Sequence, residues 1–409
     1  TSTPNGQLTR LTSARTDLVA GRNLTMSASD IDQAANNPVF LSARNVTLQG
    51  QSTGGLDVRV GSLNVTAGEN FLANSSGGGV RLLANTGPLN LTAGSDLTVQ
   101  AMTGVTLQSS TGQTTLTAPA VNVTANGGGA SLYGLQGVNV TSTSGDIAFS
   151  ASSGFDVNGG SAGLNLTSAR DLTLTGGGGL TLSSSTGTRL DATRDLRTST
   201  PNGQLTRLTS ARTDLVAGRN LTMSASDIDQ AANNPVFLSA RNVTLQGQST
   251  GGLDVRVGSL NVTAGENFLA NSSGGGVRLL ANTGPLNLTA GSDLTVQAMT
   301  GVTLQSSTGQ TTLTAPAVNV TANGGGASLY GLQGVNVTST SGDTVLSASS
   351  ALDVNGASAG LNLTSARDLT LTGGGGMTLS STTGTRLEAA RDLRTSTPNG
   401  QLTRLTSAR

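Results

Sequence analysis

The feature that most restricts the fold is a five-residue phrase that returns at a nearly fixed interval. Leu-Asn-Leu-Thr-Ala at 89–93 is preceded by LNVTA at 63–67 and followed by TTLTA at 114–118, VNVTS at 138–142 and LNLTS at 164–168. With looser copies at Thr16, Val39 and Thr188, the starts fall at 16, 39, 63, 89, 114, 138, 164 and 188, giving intervals of 23, 24, 26, 25, 24, 26 and 24. In most copies the first, third and fifth residues are apolar or small, and the second and fourth are polar. That alternation is the mark of a strand with one buried face. A strand returning at this period reads as one coil of a β-solenoid.

Two further ladders run beside the first. One passes through Leu24, Val46, Phe71, Leu97, Val121, Ile147, Leu172 and Leu196, the other through Thr9, Ile31, Leu56, Val80, Val105, Ala130, Phe155 and Leu180. Three short strands per coil predict a triangular cross-section. Each corner has its own chemistry. The first is Gly/Ala-x-Asn/Asp, as in Gly21-Arg22-Asn23 and Ala169-Arg170-Asp171, and the second is glycine-rich, as in Gly77–Gly79 and Gly176–Gly179. The third carries Thr-Gly or proline, as in Asn85-Thr86-Gly87-Pro88. Glycine, asparagine and aspartate all suit tight bends. The run Gly176–Gly179 lacks the Gly-Lys-Ser/Thr ending of a phosphate loop and precedes no helix, so it reads as a corner.

A longer period is laid over the short one. Thr1–Arg15 returns at Thr198–Arg212 and at Thr395–Arg409, a spacing of 197 residues each time. Residues 1–146 match 198–343 without a difference, and ten differences follow between Ile147 and Thr193 and their partners. The expected organisation is a repeat unit at 1–197, a second at 198–394 and the start of a third at 395–409. The fold class expected is all-β: a three-sided parallel β-solenoid with about 24–25 residues per coil and eight coils per 197-residue repeat. Because the chain starts and stops at the same phase without a polar capping coil, it reads as a window of a longer one. One coil alone buries too little apolar surface to offset the ordering of its residues, so stability is expected to come from stacking. Phe149 becomes Leu346 and Phe155 becomes Leu352 within one coil, while Leu180 becomes Met377 on the next, a swap that refills part of the space.

Composition narrows the chemistry. The 22 basic residues are all arginine and balance 22 acidic ones, leaving no charge excess to attract nucleic acid or an anionic membrane. Without cysteine or histidine, thiolate and imidazole metal sites and cysteine nucleophiles are excluded. No apolar run reaches the ~18 residues of a membrane span.

Runs such as Leu89–Val99 (LNLTAGSDLTV) and Ser168–Leu174 (SARDLTL) resemble the repeats of filamentous haemagglutinin-type proteins. That resemblance covers the whole chain and implies a right-handed parallel β-helix from a giant bacterial secreted surface protein or adhesin. The pattern is also similar to other β-helical fibres.

Catalysis on such a scaffold needs clustered carboxylates in a groove. Asp30 and Asp32 are the closest pair in sequence and read as outward and solvated, and Asp57 and Asp156 share a ladder but belong to different coils. The glycine- and aspartate-rich nonapeptide of calcium-binding β-rolls is absent. Neither enzymatic activity, metal nor cofactor is expected. Two surface constellations remain. Arg170, Arg194, Arg219 and Arg241 fall at the first corner of successive coils, a row that suits either a salt-bridge ladder or an anionic glycan. Asn-x-Ser/Thr sequons occur at Asn23, Asn45, Asn64, Asn74, Asn90, Asn122, Asn139 and Asn165, and again at Asn220, Asn242, Asn261, Asn271, Asn287, Asn319, Asn336 and Asn362. The function expected is a structural segment of a giant extracellular or cell-surface filament, giving length, stiffness and a display surface, with sugars on some of these asparagines. The alternative is an adhesin that binds glycans along one face. Expected partners are further copies of the repeat in the parent chain, lateral filament neighbours and glycans, with no nucleic acid and no membrane span.

Overall fold

A computed structural model of the chain describes residues 8–10, 16–28, 30–50, 55–200, 205–209, 213–225, 227–230, 235–247, 252–397 and 403–407. Among these residues every regular element is a strand and none is a helix. The chain divides into two compact units, Thr1–Gln204 with Leu208–Ala211, and Leu205–Arg207 with Arg212–Arg409.

Each unit is a parallel β-solenoid. On the first face of the first unit Thr16 pairs with Val39, Val39 with Leu63, Leu63 with Leu89 and Leu89 with Thr114. Thr114 then pairs with Val138, Val138 with Leu164 and Leu164 with Thr188. The second face runs in the same way from Asn23–Ala28 to Leu196–Ser199, and the third from Leu8–Arg10 to Gly179–Ser183. Partners therefore lie one period apart in sequence, and the phrase read from the sequence sets the register. In the second unit the three faces are equally regular, for example Leu260 on Leu286, Val243 on Phe268 and Leu253 on Val277.

The alternation is met side chain by side chain. Leu63, Leu89, Val138 and Leu164 are 0% exposed, whereas Asn64, Asn90, Asn139 and Asn165 point outward from the same strands. The fifth position of a strand is often serine because the corner that follows needs a bond. Ser109 Oγ donates to Gly87 O at 3.2 Å and accepts from Gly112 N, and Ser142 Oγ donates to Pro119 O at 2.6 Å and accepts from Gly145 N. A buried hydroxyl with both roles filled ties the corner to the coil below.

The third corner differs from expectation at two coils of the first unit. Ile31–Ala35 and Val39–Ala43 were expected as separate rungs, but one strand, Asp30–Ala43, runs through Asn36–Pro38 with only a register shift there. Leu56–Ala67 likewise passes Gly61 without a break. The turn is short enough for the ladder to continue around it, with Asn85 N donating to Val60 O and Thr86 N to Gly61 O.

The differences between the repeats cluster inside one coil and its neighbour. Phe149 and Phe155 stack with ring centroids 5.2 Å apart. In the second repeat both are leucine, and Met377 lies directly in register with Leu352. Ile147 is replaced by Thr344, whose hydroxyl is buried without a hydrogen bond. Gly160, at φ +58°, is replaced by Ala357, which keeps a positive φ of 47°.

Candidate functional site

Three surface arrangements merit description, beginning with the asparagines. Where two sequons fall on adjacent coils of the first face, their amides bond along the axis. Asn90 Nδ2 donates to Asn64 Oδ1 at 2.7 Å and Asn165 Nδ2 to Asn139 Oδ1 at 3.2 Å. The second unit repeats both bonds, Asn287 to Asn261 and Asn362 to Asn336. At the first corner Asn45 Nδ2 donates to Asn23 Oδ1, and Asn45 Oδ1 accepts from the backbone and side chain of Asn70. Asn242 stands in the same relation to Asn220 and Asn267. Asn74, Asn122, Asn271 and Asn319 sit outward on the second face, where the residues in register with Asn122 are the small Thr98 and Ala148. All sixteen sequon asparagines are at least partly exposed.

The corner arginines lie in a ladder of charge. Arg170 Nε is 3.5 Å from Asp146, and Arg194 Nε is 3.8 Å from Asp171, one coil back in each case. In the second unit Arg241 reaches Glu266 at 3.8 Å, and the carbonyl of Arg219 accepts from Asn242 N. The acids also brace the backbone, since Asp171 N donates to Asp146 Oδ1 and Asp195 N to Asp171 Oδ1, each at 3.2 Å. These pairs are half-exposed, a setting in which such contacts contribute roughly 0–1 kcal/mol each.

The third arrangement was not foreseen from the sequence. Where the glycine-rich second corner meets the third face, a shallow groove of about 350 Å³ is lined by Asp57, Gly79, Arg81, Thr103, Gly104 and Thr106, among others. It recurs in the second unit at about 380 Å³ around Arg278. Glycine is needed on this wall of the groove: a Cβ at Gly79 would come 3.1 Å from Gly104 O and 3.4 Å from Thr103 Oγ1. Asp57 faces Arg81 across the ladder, yet its carboxylate is held by Arg59, two residues on along the strand, at 2.6–3.1 Å. Among the described residues the guanidinium groups of Arg81 and Arg278 therefore make no ion pair or hydrogen bond, unlike most of the other arginines. Beyond Arg81, the neighbouring outward column runs Leu83, Gln108, Tyr133, bringing an aromatic ring onto the same face two coils away. The signal in the sequence was a second arginine near an acid already paired, which spacing alone does not resolve.

Among the described side chains, the two third-face carboxylates weighed from the sequence do not converge. Asp57 and Asp156 are separated by the rungs Arg81, Thr106 and Ser131, about 19 Å along the axis. That exceeds the ~5–9.5 Å of an acid/base pair on a glycosidic bond. Asp30 and Asp32 lie on the described strand Asp30–Ala43, but their side chains fall outside the described residues. Among the described residues no three metal-ligating side chains come together, and no helix is long and apolar enough to cross a membrane. No protein-family model, curated protein or solved structure matches this chain.

Proposed function

We propose that the chain is a repeat segment of a giant extracellular or cell-surface filament, whose task is length, stiffness and display. The observation that carries this reading is the stacking of similarly patterned coils in near-identical repeats. Within each unit the coils stack in register, and nearly all differences between repeats are conservative or lie on core and corner positions. Asp191 even becomes Glu388 with its arginine pair kept, at 2.7 Å in both repeats. A chain selected for a single reactive site has no reason to copy 146 residues without change. The likeness of its phrases to filamentous haemagglutinin-type repeats supports the same reading, as does the row of outward sequons, on some of which we place sugars. No enzymatic role is proposed. The test is electron microscopy of chains carrying two, four and six repeats. Particle length should grow by about 38 Å per repeat, eight rises of ~4.8 Å. Particles whose length does not scale with repeat number would overturn the reading.

A second reading, adhesion to acidic saccharides, is favoured by the groove at Arg81 and Arg278. One unpaired guanidinium beside threonine hydroxyls suits a carboxylate-bearing sugar, and Tyr133 offers an aromatic face about 12 Å away for a sugar ring further along. Arg81→Gln with Arg278→Gln should abolish retention on an immobilised acidic polysaccharide, while Arg170→Gln should not. Equal losses from both would leave only general electrostatics.

A further inference from the structure

We propose that the first face of each unit is a self-association surface, and that its occupant is the same face of a second copy of this chain. Over five successive coils, from the strand ending at Ala67 to Leu164–Ser168, the outward positions hold only asparagine and threonine. The corresponding strands of the second unit, from Ser259–Ala264 to Leu361–Ser365, are the same. Charge begins at the rim. Arg189 and Asp191 occupy the next coil, and the Arg170–Asp146 and Arg194–Asp171 pairs line the adjoining corner. Charge thus borders the neutral face on two sides, while the preceding coil sets Phe40 and Ser42 in register with Asn64 and Thr66, and depletion of charge at the centre is a mark of protein interfaces.

Four properties select a second copy as the partner. Asparagine and threonine each donate and accept, so the face is complementary to itself, and no charge is desolvated when two such faces meet. The threonine column through Thr66, Thr92 and Thr117 also carries methyl groups that gain from leaving water. The face is held in place, since Asn90 is bonded to Asn64 and Asn165 to Asn139, so little side-chain freedom remains to be lost. Finally, rungs spaced by ~4.8 Å find an identical spacing on another solenoid of the same kind, as paired sheets do in polar zippers. Zero net charge leaves no long-range repulsion against the approach.

The area sets the strength. Five rungs of five residues cover about 400 Å², so a face-to-face pair of single units buries about 800 Å². Stable complexes bury ~1,200–2,000 Å², so the association is weak and depends on concentration.

The chain contains no cysteine, which makes a site-specific test direct. The 409-residue chain is produced without sugars, and single cysteines are placed at Thr117, on the central coil of the face, or at Thr98, outward on the second face. Treatment with a short bis-maleimide should yield covalent dimers from Thr117→Cys, increasing with protein concentration, and only monomer from Thr98→Cys. Adding Thr92→Lys and Thr289→Lys to the Thr117→Cys chain should abolish the dimer while circular dichroism stays unchanged. Equal cross-linking at both positions, none at either, or a dimer indifferent to the lysines would each overturn the proposal. None of these outcomes depends on the length of the parent chain, so the filament reading stands or falls separately.

Discussion

The side-chain amide of Asn90 donates to Asn64 Oδ1 at 2.7 Å across one coil, joining two sequons into a ladder on an otherwise neutral face. The bond is partly buried, so removing its donor should be felt. Asn90→Ala is expected to lower the unfolding free energy by about 0.5–1.5 kcal/mol, read from urea midpoints at constant slope. Asn122→Ala, at an exposed sequon on the second face, should stay within about 0.5 kcal/mol of the parent. Equal effects would mean that the ladder bond contributes nothing of its own.

The same asparagines decide the surface chemistry. Glycopeptide analysis of the native protein is expected to find sugars on at least some of the eight sequons in each repeat. Unmodified peptides throughout would leave these asparagines to the amide ladder and the self-association face.

Within the first unit, Phe149 and Phe155 stack at 5.2 Å, and both become leucine one repeat later. A double-mutant cycle of Phe149→Leu and Phe155→Leu should show a coupling of about 0.5–1.5 kcal/mol beyond the loss of area. Additive single effects would show that the two replacements are independent.

Thr344 is 0% exposed, and its hydroxyl has no partner where the first repeat has Ile147. Thr344→Ile should therefore stabilise the second unit by about 1–3 kcal/mol, the cost of leaving a buried polar group unmatched. The first repeat already holds isoleucine at this position, buried beside the larger Phe149, so the added carbon is accommodated by the fold. A lower urea midpoint in the variant would refute the assignment.

Ala357 holds φ at 47°, a left-handed conformation that costs a residue with Cβ roughly 1–2 kcal/mol. At the matching Gly160, a Cβ would come 2.8 Å from the carbonyl oxygens of Gly134 and Leu135. Ala357→Gly should raise stability by about 0.5–1 kcal/mol, and Gly160→Ala should lower it by at least as much. Hydrogen exchange offers a second readout, since the coil at 344–357 should open before its counterpart at 147–160. The reverse order would be incompatible with both this strain and the Thr344 defect.

The coil is written in the order of residues along the chain. Period-two alternation decides which side chains face inward, and a phrase returning every 24–26 residues decides which rung lies on which, so Leu63, Leu89 and Leu164 could be placed in the core before any coordinates. The first two corners were legible because glycine, asparagine and aspartate bend the chain for local reasons, whereas the strand running through Asn36–Pro38 and the serine bonds at other corners were not. Choices between neighbours at similar distances were settled in three dimensions. Asp57 had Arg59 two residues along its strand and Arg81 one coil away, and spacing favoured neither; the fold gives it to Arg59 and leaves Arg81 open to the groove. The asparagines were likewise equivalent on paper, yet only some stand in register with another asparagine on the next coil. Ladder period is a one-dimensional property that the chain writes down, whereas a hydrogen bond or ion pair depends on a few ångströms in three dimensions, set by how each corner spends its residues.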